Sequence, residues 1–177
     1  MTNAVLKAIA DRRSNRGYAP RQLTEEELDA IMLAAVQAPS ARNTQPWHFS
    51  IVQDAALLKE FSDDYNRLQK ADPGQDILFF GAPTVVFIST PVEAPTRFSQ
   101  IDCGIAAQNM ALAAHSIGLG SVILGRPMDV FQSENGARYA KAFGFPEGYT
   151  FAIAVAFGEP AVSKEAHVVR KGLITRV

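Results

Sequence analysis

Three guanidinium groups and a hydroxyl fall within five residues at Arg12-Arg13-Ser14-Asn15-Arg16. Arginine presents a planar fork of donors that matches the oxygens of a phosphate, so this cluster is a candidate oxyanion site. It also stands at the end of the first predicted helix, where basic side chains simply complement the negative end of the dipole. A second polar segment, Ser40-Ala41-Arg42-Asn43-Thr44-Gln45-Pro46-Trp47, carries the amides of Asn43 and Gln45. Amides both donate and accept, which suits a flat heterocycle edged with alternating N–H and C=O groups. The alternative is an ordinary turn whose bend is set by Pro46. A third segment, Gly118-Leu119-Gly120-Ser121-Val122-Ile123-Leu124-Gly125, has glycines that let backbone approach a ligand closely, or that close a helix before a core strand.

Other chemistries are excluded because their spacings are missing. Gly118-Leu119-Gly120 does not continue as a dinucleotide fingerprint, and no Walker-type phosphate loop occurs. His48, His115 and His167 are scattered, with no HExxH pair and no GxSxG elbow, so neither a metal site nor a serine hydrolase is expected. The single cysteine, Cys103, follows Asp102 in a small apolar stretch and is expected to be packed rather than reactive. One cysteine forms no intrachain disulfide, which points to a reducing, cytoplasmic setting. Seventeen basic against eighteen acidic residues leave a net charge of −1, so no global field draws the chain to nucleic acid or an anionic membrane. The N-terminus lacks the layout of a signal peptide.

These clusters need positioning elements, and the 177 residues supply them without repeats or low-complexity linkers, so one domain spanning 1–177 is expected. The pattern from Thr24 predicts a helix with Leu28, Ile31, Met32, Ala35 and Val36 on one face. Thr24 and Glu27 make its capping box, Leu23 staples onto Leu28, and it ends near Pro39. Trp47, Phe49 and Ile51 alternate with His48, Ser50 and Val52, predicting a strand. Asp54 caps a helix whose apolar face is read as Leu57, Phe61, Tyr65 and Leu68. Asp72-Pro73-Gly74 signals a turn, and Thr84–Thr90 reads as a fully covered strand. Residues 103–125 lack Asp, Glu, Lys and Arg, yet interspersed polar side chains argue for a buried helix over 102–117 instead of a membrane span. Its alanines, Ala106, Ala107, Ala111, Ala113 and Ala114, would admit another helix, from this or a second subunit. A short strand SVIL, a helix over 134–143 and a strand FAIAVAFG follow. The last alternates large Phe151, Ile153, Val155 and Phe157 with small residues. The order lacks regular βαβ alternation, giving α+β with one sheet between helical layers.

In order along the chain, RRSxR, PSxxNxQPW over Pro39–Trp47, the helix DCGIAAQNMALAAHSIGLGS and the basic tail HVVRKGL resemble the FMN-dependent nitroreductase family. The resemblance implies a three-layer sandwich whose central, mostly antiparallel sheet is flanked by helices. It also implies a homodimer with FMN at the subunit interface, reduced by NADH or NADPH and reoxidised by a small electron acceptor such as a nitroaromatic or quinone, with ping-pong kinetics. It assigns Arg12 and Ser14, with Arg13 nearby, to the phosphate and ribityl end of FMN, and Arg16 to the pyrimidine edge, where its charge would tune the flavin. Ser40, Asn43 and Gln45 match the loop that meets the ring. Ile123, Leu124 and Gly125 match backbone against the ring near N5, and Arg170 and Lys171 match the tail that closes over the phosphate. Gly125-Arg126 stands where many members have an acidic residue and glycine, which leaves the donor to N5 open. Flavin storage or redox sensing, or another reduction on the same fold such as dehalogenation or enoate reduction, are the alternatives.

Overall fold

The computed structural model describes residues 2–72, 74–166 and 168–177. The turn signal at Pro73 and the tail residue His167 lie outside them. Helix α1 (Ala4–Asp11) begins on Asn3, whose side chain accepts from Leu6 N, and buries none of its residues. Helix α2 (Glu25–Val36) starts at the capping box read from the sequence: Thr24 accepts from Glu27 N while the Glu27 carboxylate accepts from Thr24 N. Leu28, Ile31 and Ala35 are buried, but Val36, expected on the same face, is 47% exposed.

Four strands form one sheet, β1 (His48–Val52), β2 (Thr84–Pro91), β3 (Gly120–Leu124) and β4 (Tyr149–Gly158), in the order β1-β2-β4-β3 with every pair antiparallel. The β-branched run of β2 stands between β1 and β4 and is buried from Thr84 to Thr90, as a strand covered on both faces should be. β1 is an edge strand: Ser50 and Val52 are buried on one face, Trp47 and Phe49 are half-buried on the other, and Ile51 is exposed. The simple alternation of apolar-in and polar-out therefore does not hold on this edge strand. Opposite Ile88 and Ser89 of β2 the register of β4 shifts, with Ala152 as the additional residue. This bulge turns Phe151 away from the face of Val155 and Phe157 and into the opposite layer.

One layer is aromatic. Helix α3 (Ala55–Gln69), capped by Asp54, and the short helices α5 (Met128–Phe131) and α6 (Gly136–Ala142) pack Phe61, Tyr139 and Phe143 against Phe87 and Phe151. The Phe87 and Phe143 rings stack with centroids 4.4 Å apart. The buried stripe of α3 is Leu58, Phe61 and Tyr65; Leu68 is exposed. Its polar members Asp64 and Ser62 are also buried, satisfied by the Tyr139 hydroxyl (2.9 Å) and by Asp76 (2.8 Å). The opposite layer is aliphatic: helix α4 (Ser99–Ser116) lays Cys103, Ala107, Met110 and Ala114 between the sheet and the Leu28, Ile31 and Ala35 face of α2. Ala107 and Ala114 thus serve a contact inside the chain. α4 starts three residues before the expected position and ends in a left-handed Gly118, with Leu119 N bonded back to Ala114 O. Among the described residues no helix is long and apolar enough to cross a membrane.

Candidate functional site

The Arg12–Arg16 cluster leaves α1 as an extended strap beside β3. Ser14 forms a parallel bridge with Ser121, and Asn15 N donates to Ser121 O at 2.9 Å. Gly120 makes the approach possible, since a Cβ there would stand 2.9 Å from Asn15 Cγ. Farther on, the strap is fixed by the Tyr18 hydroxyl to Asn15 O (2.9 Å) and by Ala19 N to Glu159 O (2.9 Å). Extended backbone sends successive side chains to opposite sides, so Arg12, Ser14 and Arg16 share one side and Arg13 and Asn15 the other. Arg13 folds back on α1, with Nη1 donating to Ala10 O (2.6 Å) and Arg12 O (3.0 Å), the helix-capping arrangement. With Asn15 and His115 it lines a cavity of about 320 Å³.

Ser121 directs its carbonyl to the strap, and Ile123, two residues on, directs its own N–H and C=O to the same outer edge. Leu124 is buried and Gly125 exposed; a Cβ at Gly125 would meet nothing within 4 Å. The strap therefore brings Arg12, Ser14 and Arg16 to an outer strand edge that ends in bare backbone.

The Ser40–Gln45 loop is held in a high-energy conformation. Arg42, Asn43 and Gln45 all have left-handed backbone, with φ of 56°, 56° and 45°, at a cost of about 1 to 3 kcal/mol for each such residue. The offsetting contacts are specific. Asp102 at the start of α4, buried, accepts Ala41 N with both carboxylate oxygens at 3.2 Å. The Ser40 hydroxyl accepts Gln45 N at 2.9 Å, and Gln45 Nε2 donates to Asn43 Oδ1 at 3.1 Å. Asn43 and Gln45 remain exposed. Strain of this kind, over-determined by its surroundings, is a mark of functional loops.

A single chain does not unite all of these residues. The loop feeds β1 and the strap borders β3, the two opposite edges of the sheet, separated by three strand spacings, about 14 Å. Along α4 the loop is tied at Asp102, whereas the strap's Asn15 lines a cavity with His115, about 20 Å farther at 1.5 Å per residue. Arg170 and Lys171 are exposed on the segment beyond β4, and among the described residues neither makes a hydrogen bond or ion pair.

Two features escape a reading by residue type. Asp102 is the anchor of the loop although it stands sixty-one residues away. Phe80 places its ring 5.8 Å from the Arg16 guanidinium carbon. Cys103 is fully buried, and desolvation, reinforced by Asp102, pushes its thiol up to about 11. Among the described residues no group of three or more His, Cys, Asp or Glu side chains could hold a metal ion.

A protein of Archaeoglobus fulgidus named for NADH dehydrogenase/NAD(P)H nitroreductase activity is 35% identical over 162 residues, covering 90% of this chain and 87% of that one. A Bacteroides fragilis nitroreductase crystallised with bound FMN superposes with a TM-score of 0.89 at 29% identity, covering 99% and 100% of the two chains. A Desulfitobacterium hafniense nitroreductase with bound FMN gives a TM-score of 0.89 at 32% identity, covering both chains completely. The fold is thus the nitroreductase α+β sandwich. Residues 9–159, which include the strap, the strained loop and all four strands, match the model of the Nitroreductase family, and the chain belongs to that family.

Proposed function

We propose that this chain is an FMN-dependent oxidoreductase that takes electrons from NADH or NADPH and passes them to a small acceptor such as a nitroaromatic or quinone. The observation that carries this reading is the strap, which lays Arg12, Ser14 and Arg16 along a strand edge ending at the bare backbone of Gly125. The donor set fits the cofactor. Arg12 and Ser14, with Arg13 near that end, would hold a terminal phosphate, and Arg170 and Lys171 would close over it. The outward N–H and C=O of Ile123, with Leu124 and Gly125, would meet the ring near N5, and Arg16 would face its pyrimidine edge. Ser40, Asn43 and Gln45 would present hydroxyl and amide groups to the ring. The FMN-bound relatives support the cofactor, and the name of the Archaeoglobus relative supports the nicotinamide. When bound, FMN supplies the two-electron chemistry. The protein's part is to bind it, to place a cation where negative charge develops and to leave one face open for donor and acceptor in turn, which gives ping-pong kinetics.

The working unit of this proposal is a homodimer of one-domain chains, each site built from the strap of one chain and the Ser40–Gln45 loop of the other. Its support is the separation of the two clusters on opposite sheet edges. Exposed apolar side chains at Val5, Leu6 and Ile9 on α1 and Ile101 on α4 add to it. A cytoplasmic setting, which supplies nicotinamide donors and keeps a lone cysteine reduced, is part of this proposal. The direct test is the flavin content of the purified protein: a yellow preparation releasing FMN on heating supports the reading. Release of FAD, or no binding of added FMN, overturns it.

A further inference from the structure

Phe80 has left-handed backbone, with φ of 60°, which is unfavourable for a bulky residue. A single carboxylate enforces it. Asp76 Oδ1 accepts from Phe79 N (2.8 Å), Leu78 N (3.2 Å) and the Ser62 hydroxyl (2.8 Å), and Oδ2 accepts from Gly81 N (2.8 Å). Both neighbours of Phe80 are therefore pinned, and Ser62 fastens the carboxylate to α3. Leu78 and Phe79 are buried in the aromatic layer, while Phe80 is only half-buried. The result is a ring packed against the rim of the core and held beside the guanidinium of Arg16, within the range of a cation–π contact. Arg16 itself is exposed, and among the described residues the ring is the partner it has.

We propose that Phe80 is a positioning residue: its ring holds the Arg16 guanidinium in place for the pyrimidine edge of the flavin, and Asp76 holds the ring. The proposal rests on the reading of Arg16 given above and deepens it. A long arginine on an extended strap otherwise samples many rotamers, and ordering it at the moment the ring gains charge would oppose reduction. Pre-ordering by a fixed ring removes that cost, so the contact acts on reactivity more than on retention of the cofactor.

The test uses the whole chain loaded with FMN, comparing Phe80→Leu, Phe80→Tyr and Arg16→Gln by spectroelectrochemical titration and by FMN affinity. Phe80→Leu is expected to lose about three- to tenfold of the preference for reduced over oxidised flavin, a midpoint about 15 to 30 mV more negative for a two-electron couple. Phe80→Tyr restores the wild-type midpoint, and Phe80→Leu adds nothing in an Arg16→Gln background, because the two residues act as one unit. A purely structural role for Phe80 gives neither result. Should Phe80→Leu fail to fold, proton NMR of the wild-type protein without flavin still decides the contact: Arg16 side-chain protons are shifted upfield by the ring. Unchanged midpoints with FMN bound, or unshifted Arg16 protons, overturn the role of Phe80 and leave the site reading standing. A wild-type chain that takes up no FMN overturns the site reading instead, and the role of Phe80 with it.

Discussion

Gly125 offers a substitution that separates binding from folding. Its φ is ordinary and a Cβ would meet no atom of the chain within 4 Å, so Gly125→Ala is expected to leave the melting temperature unchanged, while the added methyl would intrude on the flavin ring proposed to lie there. FMN affinity measured by fluorescence quenching should fall at least about tenfold, the equivalent of about 1.4 kcal/mol. If Arg12 holds the phosphate as proposed, Arg12→Ala would remove charge-assisted hydrogen bonds of roughly 1.5 to 3 kcal/mol each and should weaken FMN binding by about ten- to a hundredfold. Equal affinities in a folded Arg12→Ala variant would return that residue to a role at the helix end, where Arg13 already acts. At this scale the sequence is legible wherever chemistry and proximity coincide, as in Arg12–Arg16 and Ser40–Gln45. It is not legible at Phe80, a residue type that normally signals core. Its outward placement follows from a positive φ and from the carboxylate of Asp76, and neither leaves a pattern in the sequence.

Among the elements, the join between strap and β3 depends on one missing side chain. Gly120→Ala would set a Cβ 2.9 Å from Asn15 Cγ and 3.2 Å from its Cβ, so the Asn15 side chain must turn aside; stability and FMN affinity should fall together, at the low end of the roughly 1 to 3 kcal/mol for overpacking, unlike Gly125→Ala. Gly136→Ala is a harsher case, because its Cβ would fall 1.9 Å from the carbonyl oxygen of Phe131 at the α5–α6 corner. The start of α2 has a pH signature. Hydrogen bonds from Arg21 first, and from Thr24 N, hold the Glu27 carboxyl below its usual value. Its stabilisation is therefore present above the ordinary carboxylate pKa and is lost as pH falls through the lowered value. The urea midpoint of Glu27→Gln should lie below wild type at pH 7 and converge with it once the pH has fallen below the lowered value, the cap hydrogen bond being kept by glutamine. Elements with a strong local signature, such as this capped helix and the β-branched β2, are legible in the sequence. The bulge that redirects Phe151, the exposure of Val36 and Leu68 and the small helix α5 are not. Each is settled by which neighbour covers which face, a long-range outcome that periodicity does not carry.

For the whole molecule, the sandwich follows from composition and element order, whereas the distribution of the candidate site over two sheet edges does not, since chain order places strap and loop within thirty residues of one another. Sedimentation of the flavin-loaded protein should give about twice 19.2 kDa, and a fully flavinated monomer would refute the shared site. The opposite-edge placement of strap and loop also has a consequence for inheritance of function. Take one chain disabled in the strap, by Arg12→Ala, and another disabled in the loop, by Asn43→Asp. Each homodimer then carries two damaged sites, but the mixed dimer carries one doubly damaged site and one wholly intact one. Co-expressed, the two defective alleles should complement each other and recover FMN binding at one site per mixed dimer, whereas two strap alleles together should recover none.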